Sequence, residues 1–292
     1  MKTRFLVAIS AAMLVLAGCA GEDNEETIDN WKGEIHLSSG VSVQQTRTNS
    51  KDVPDKQIAE NESVEVVVTK QSTDEKEYSG YTLDFTANGQ GGLSNSTTTM
   101  YYPESGMGVS IYAYHPSDAG TSFSVQADQS SDGDYFKSDL LYSAKKDYAR
   151  QKEAHSLTFV HKLCKVEYTL VQGTGTPALT GATVQWMNVA KTIGFTAETG
   201  AVATSSDVTT ITPHSTYGAI IVPQTVSANT KLLKVTLADG GVLYYTPDED
   251  QTFDSEKKYS YKITVNLSGL SVQSTITEWT SIGEKTGTAE ME

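Results

Sequence analysis

From residue 34 onward the chain carries apolar and polar side chains in short alternation, and roughly every 8 to 15 residues a Gly, Asn, Asp, Ser or Pro breaks the run. A period of two places every second side chain on one face of an extended strand. A helix would need an apolar stripe recurring at 3.6 residues, and no segment sustains one. The nearest candidate, Ser143 to His155, is charged on every side and is expected to supply at most a turn or a short helix. The pattern therefore predicts an all-β chain built as sandwiches, the architecture in which many short half-buried strands can share a core.

Individual runs carry the argument. Ile35, Leu37, Val41 and Val43 alternate with His36, Ser38, Ser42 and Gln44; Val64, Val66 and Val68 follow, then Tyr81, Leu83 and Phe85. Val109, Ile111 and Ala113, backed by Tyr112 and Tyr114, load both faces of one strand, which ends at His115-Pro116 because proline has no N–H for the ladder. Leu157, Phe159, His161 and Leu163 share one phase, whereas Val166, Tyr168 and Leu170 share the other, so a bulge or a change of sheet is predicted near Cys164. Further strands are predicted over 182–189, 192–196, 219–222, 232–237, 242–245, 259–267 and 270–276, and Ala238-Asp239-Gly240-Gly241 reads as a hairpin turn. A length of 292 residues suggests two domains. The boundary is placed in the charged stretch after Ser143, giving domains over 34–152 and 153–292.

The N-terminus reads as an address. Lys2 and Arg4 precede an apolar run from Phe5 to Leu16, too short for a bilayer span of about 20 residues. Leu16-Ala17-Gly18-Cys19 resembles a bacterial lipobox, which implies a signal peptide over 1–18, acylation of Cys19 and attachment to a membrane. The alternative is an ordinary signal peptidase site with a chance cysteine. Residues 19–33 form an acidic tether, and Glu22-Asp23-Asn24-Glu25-Glu26 resembles the export signal of Bacteroidetes surface lipoproteins; otherwise it is a solvated linker.

Composition removes other functions. With 36 acidic against 22 basic residues and a net charge of -14, a polyphosphate partner would be repelled, so no nucleic acid is expected. The histidines His36, His115, His155, His161 and His214 show no metal-ligand spacing and are assigned structural roles. No G-x-S-x-G elbow and no glycine-rich phosphate loop occurs, and no pair of carboxylates stands out as a glycosidase couple. Neither a cofactor nor a metal is expected. Asp128 to Asp139 places oxygens and a glycine much as a calcium loop does, but a solvated inter-strand loop is preferred, since the last position is Asp and no helix is predicted on either side. The 15 tyrosines could stack sugars, yet in a sandwich such rings mostly fill the core. Trp279 is expected to close the second core.

Several segments in order resemble the fimbrillin family of Bacteroidetes, the lipoprotein-derived subunits of type V pili. They are Val109 to Pro116, Ala127-Asp128-Gln129 with Ser138-Asp139-Leu140-Leu141, Leu157 to Leu163, Ile220 to Gln224, Tyr259 to Val265, and Ile276-Thr277-Glu278-Trp279. The resemblance implies two tandem transthyretin-like β-sandwich domains and no catalytic activity. It implies a trypsin-like maturation protease that cuts after a basic residue following the first strand, here between Arg47 and Thr48, with Lys51 and Lys56 as lesser alternatives. The removable strand would be 34–45, contributing Ile35, Leu37, Val41 and Val43, and a neighbour's strand would take its place. The candidate donor is 270–282, with Leu270, Val272 and Ile276 repeating the apolar alternation. The partners implied are other pilin subunits, identical or related, and host or bacterial surface ligands for adhesion. The location implied is the outer-membrane surface and then an extracellular fimbrium. Two alternatives stay open: a monomeric surface lipoprotein that binds glycans through tyrosines, and an uncleaved anchor or tip subunit.

Overall fold

Alternating side chains give strands wherever one face can be buried, and the computed structural model shows how those strands are shared out. It describes residues 30–41, 57–71, 78–279 and 284–288, with Val41 and 284–288 described through the backbone. The signal segment, Cys19, Val43, Arg47, Thr48 and Ile282 lie outside the described residues. In chain order the elements are β1 (Leu37–Val41), β2 (Ser63–Lys70), β3 (Tyr81–Ala87), β4 (Leu93–Ser94), β5 (Val109–His115), β6 (Ser122–Ser124), α1 (Asp132–Lys137), β7 (Leu141–Tyr148), β8 (His155–His161) and β9 (Cys164–Gln172). There follow β10 (Thr183–Ala190), β11 (Thr192–Thr196), β12 (Ala201–Thr204), β13 (Val208–Ile211), β14 (Ala219–Ile221), β15 (Gln224–Val226) and β16 (Leu233–Thr236). The last are β17 (Val242–Tyr245), β18 (Gln251–Phe253), β19 (Lys257–Asn266), β20 (Gly269–Glu278) and β21 (Glu284–Thr288). The chain is nearly all β, as the alternation requires.

The first large sheet has the order β1-β8-β7-β5-β2-β3-β4 and is antiparallel except for the parallel pair β1 and β8. Its edges meet. Ser38 bridges Gly92, and the Ser39 N–H donates to the Gly91 carbonyl at 2.8 Å, so β1 closes the curl between β8 and the approach to β4. As expected from its two-sided loading, β5 is buried on both faces.

The phase change near Cys164 is a change of sheet. β8 ends at His161 in the first sheet, and β9 starts at Cys164 in a five-stranded sheet of order β14-β9-β19-β20-β21. The division expected between 152 and 153 therefore cuts a hairpin, because Leu141 and Tyr142 of β7 pair with His161 and Val160 of β8. The charged stretch that suggested a linker is the exposed outer end of β7, where Ala144 to Asp147 face solvent, and no helix forms there. The passage between the two large sheets falls at Lys162 and Leu163.

A four-stranded sheet of order β13-β10-β16-β17 faces the five-stranded one. Trp186 of β10, fully buried, meets the Tyr261 ring of β19 edge-on at 4.8 Å. The β16–β17 hairpin turns at Asp239-Gly240, as predicted, with Gly240 at φ 93, a left-handed conformation that costs glycine least. Two smaller sheets complete the fold, β12-β11-β6 and β15-β18. Because β6 from the first half pairs with β11 from the second, strand pairing joins the halves. Phe195 of β11 packs on Tyr114 and Tyr142 at 5.4 and 6.3 Å, within one buried cluster that extends to Trp186 and Trp279.

Candidate functional site

The segment Gly33–Val41 lies in a bed made by β8, by Gly91-Gly92 just before β4, and by residues 100–102 in the connection from β4 to β5. The Tyr102 N–H donates to the Gly33 carbonyl at 2.9 Å, and the Ile35 N–H donates to the Met100 carbonyl at 2.8 Å. The His155 N–H donates to the His36 carbonyl at 2.8 Å, after which Leu37 to Val41 pair in parallel with His155 to Phe159. Ile35 is buried, Leu37 is half-buried, and Leu157 and Phe159 in the paired strand are fully buried. The bed thus offers both apolar walls and a row of backbone partners. Were the segment removed, the Met100 and Gly91 carbonyls and the Tyr102 and His155 amides would lose those bonds, and a buried group left unpaired costs about 1–3 kcal/mol. An emptied bed is an open sheet edge with a hydrophobic floor, the kind of surface that takes up an added strand.

One end of the bed is aromatic. The Arg150 guanidinium lies 5.6 Å above the Tyr102 ring, the Tyr102 hydroxyl donates to the Ala149 carbonyl at 3.3 Å and touches His155 Nε2, and the Tyr148 ring tilts against His155 at 4.6 Å. Burial pushes His155 below its ordinary pKa of 6.5. The unfolded chain therefore takes up a proton before the folded one does. Stability from this group is present above 6.5 and is lost as pH falls through 6.5 toward the lower folded value. Melting temperature measured between pH 7.5 and 5 should fall more steeply for the unaltered chain than for His155→Asn, and equal slopes would show that His155 contributes nothing to the acid response.

The candidate donor is held differently from an edge. β20 pairs with β19 over ten positions, from Lys257 opposite Glu278 to Asn266 opposite Gly269, and with β21 on its other side, from Ser271 opposite Thr288 to Thr275 opposite Glu284. Leu270 and Val272 are buried and Ile276 packs on the same core. In this fold those three side chains anchor the second core, while β21 holds one neighbour and forms the outer edge of its sheet.

The calcium-like segment is not a loop. Ser131 caps α1, its hydroxyl accepting from the Asp134 N–H at 3.2 Å. The carboxylates turn to separate partners: Asp128 to the Ser130 N–H at 3.0 Å, Asp132 to His214 at 3.1 Å, Asp134 to the Ser131 hydroxyl at 2.6 Å, and Asp139 to His161 at 2.9 Å. Among the described residues no cluster of acids, histidines and cysteine is arranged to hold a metal. Cys164 is a buried thiol donating to the Asp254 carbonyl at 3.0 Å; burial, and then the Asp254 charge, push it well above its usual pKa.

Tyr102, Tyr114, Tyr135, Tyr142, Tyr245, Tyr259 and Tyr261 are buried, and Tyr112, Tyr168 and Tyr217 pack partly buried against the core, whereas Tyr101 is exposed. Trp279 is buried as expected, stacked on His161 at 3.8 Å and 7°. That pairing ties β8 of the first sheet to the end of β20. Sequence periodicity missed it because the two residues are 118 positions apart, and the only hint was a histidine on the same phase as Leu157, Phe159 and Leu163.

Residues 46–279 match the fimbrillin-like family. The chain belongs to that family. The match starts one residue before Arg47 and ends at Trp279, so β1 lies outside it. Over its whole extent the chain is similar to Fim1C of Bacteroides uniformis, which bears the name of a fimbrium subunit, at 26% identity covering 99% of this chain and 100% of the relative. Two crystal structures that bear the name of cell adhesion proteins share the fold. One, from Bacteroides uniformis, aligns with a TM-score of 0.64 at 18% identity, covering 85% of this chain and 98% of that one. The other, from Bacteroides ovatus, aligns with a TM-score of 0.60 at 15% identity, covering 88% and 98%.

Proposed function

We propose that this fimbrillin-like chain is the precursor of a fimbrial subunit that polymerises by strand exchange. The observation that carries the proposal is the placement of β1. Among the described strands of its sheet it forms with β8 the one parallel pair, it closes the curl between β8 and Gly91-Gly92, and it precedes Arg47 in sequence. Cleavage by a trypsin-like protease between Arg47 and Thr48 separates it from the body of the protein, and the vacated bed takes a strand from a second subunit. The start of the family match at Thr46 supports that division. Lipid on Cys19 holds the precursor at the outer membrane until cleavage, after which the subunit belongs to an extracellular fimbrium that serves adhesion.

The C-terminal region supplies the donor. Leu270 and Val272 are core side chains, so a donor drawn from the 270–282 candidate cannot include them without opening the second core. The part that can leave without breaking the β19–β20 ladder is the edge strand β21.

Incubating the purified precursor with a trypsin-like protease should give one discrete product beginning at Thr48, followed by oligomers that survive mild denaturant. Degradation into many fragments, or a clipped product that stays strictly monomeric, would count against strand exchange.

A further inference from the structure

β1 is held differently on its two edges. The His36 carbonyl turns to β8, whereas the Ile35 and Ser39 N–H groups turn the other way, to the carbonyls of Met100 and Gly91. Gly91 belongs to a tight turn from Asn88 to Gly92. The Asn88 side-chain oxygen accepts from the Gln90 and Gly92 N–H groups, both at 2.8 Å, and the Asn88 N–H donates to the Gly92 carbonyl at 3.0 Å. Those bonds fix the direction in which Gly91 presents its carbonyl, 2.8 Å from the Ser39 nitrogen. The Gly91 backbone is left-handed, at φ +86, and a Cβ built on it would lie 2.7 Å from the Ser39 carbonyl oxygen. The atom in the way is backbone, so no change of rotamer makes room. A strand seated as β1 is brings a carbonyl to that place whatever its side chains, because an extended residue turns its N–H and C=O to one edge.

We propose that Gly91 is the positioning residue of the acceptor: its carbonyl aligns the incoming strand of a second copy of this chain, and its missing Cβ lets that strand's backbone close on the turn. This rests on the strand-exchange reading above. The requirement falls on the accepting side alone. Gly91 stands in the turn before β4 of the first sheet, whereas β20 and β21 belong to the five-stranded sheet. A copy altered at Gly91 therefore still gives a strand but cannot take one. Gly240 supplies the comparison. Its backbone is left-handed too, at φ +93, yet nothing beyond its chain neighbours lies within 4 Å of a Cβ built there. The two glycines thus separate the strain of a left-handed residue from contact with a strand.

The test compares oligomer growth after cleavage of the full chain in four forms: unaltered, Gly91→Ala, Gly240→Ala and Asn88→Ala. Gly91→Ala should be cut at the same bond and grow about ten-fold more slowly, because its methyl group either meets the strand's carbonyl or turns the residue 91 carbonyl away from the strand's N–H. Gly240→Ala bears the backbone strain alone and should grow as the unaltered chain does. Asn88→Ala loosens the turn without adding an atom near the strand and should slow growth about three-fold. A mixture reads the asymmetry directly. Cleaved Gly91→Ala, with its near-ultraviolet spectrum unchanged, should end growing chains when added in minor amount to the cleaved unaltered chain, and electron micrographs should show filaments shortened in proportion to its share. Unchanged growth of Gly91→Ala, a loss matched by Gly240→Ala, or a mixture whose filaments keep their length overturns the role of Gly91 while strand exchange stands. Should Gly91→Ala not give a folded precursor, Asn88→Ala decides, and growth equal to that of the unaltered chain overturns the proposal. Absence of oligomers from the unaltered chain, with the Thr48 product present, overturns both this inference and the reading beneath it.

Discussion

Cells that produce the Arg47→Ala chain are expected to carry no filaments, while the full-length precursor accumulates with an unchanged melting temperature. The effect is all-or-none because the bed for the incoming strand is already filled in the precursor. β1 is held on one side by five parallel pairs to β8 and on the other by Gly91. A competing strand would have to displace it from within the same chain, where the local concentration of a tethered segment reaches about the millimolar range. Cutting the chain removes that advantage. Arg47→Lys should retain filaments, since a trypsin-like protease accepts either basic side chain. Electron microscopy of cells, with immunoblotting for the precursor, reads both outcomes. Filaments in normal number from Arg47→Ala would move the cut to Lys51 or Lys56, and their persistence with all three residues replaced would remove proteolysis from the assembly step.

How much of this was legible in the sequence follows the range of the forces involved. The strands and their faces were readable because a period of two is a local property. Val109 to His115 was expected to bury both faces and does, and the phase change at Cys164 was expected to mark a bulge or a sheet switch and marks a sheet switch. The first strand was recognisable as one whose apolar side chains fill a groove, but neither its parallel partner β8 nor its contact with Gly91 has any local signature. The 152/153 division falls inside the β7–β8 hairpin for a related reason. A run such as Lys145-Lys146-Asp147 has the composition of a linker, yet it is the solvent-facing end of a strand whose inner residues, Leu141 to Ser143, are buried. The helix over Asp132–Lys137 escaped because six residues cannot show a 3.6 period, even though Ser131 with Asp134 three positions later is a helix-start pattern. The contact between Gly33 and Arg150 has no local signature either, because the two residues are 117 positions apart.

Trp186→Ala is expected to cost about 3–5 kcal/mol and to lower Tm by roughly 6 to 20 °C. The side chain is fully buried, edge-on to Tyr261 at 4.8 Å and to Phe253 at 6.4 Å, so truncation leaves a cavity walled by rigid rings that cannot collapse into it. Trp186→Phe separates volume from polarity. The Trp186 Nε1 N–H is buried without a hydrogen-bond partner, so phenylalanine removes an unsatisfied donor, which offsets part of the lost packing, and its cost should be nearer 1 kcal/mol. A small loss for alanine, or equal losses for the two variants, would show that the facing sheets do not depend on this contact. The same melts bear on domain organisation. β6 pairs with β11, Phe195 packs on Tyr114 and Tyr142, and Trp279 stacks on His161, so the buried cluster crosses from the first half to the second without a break. Loss of Trp186 should therefore move a single unfolding transition, with near-ultraviolet and far-ultraviolet signals falling together. Two transitions, of which only the later moved with Trp186, would instead mark two sandwiches that fold independently.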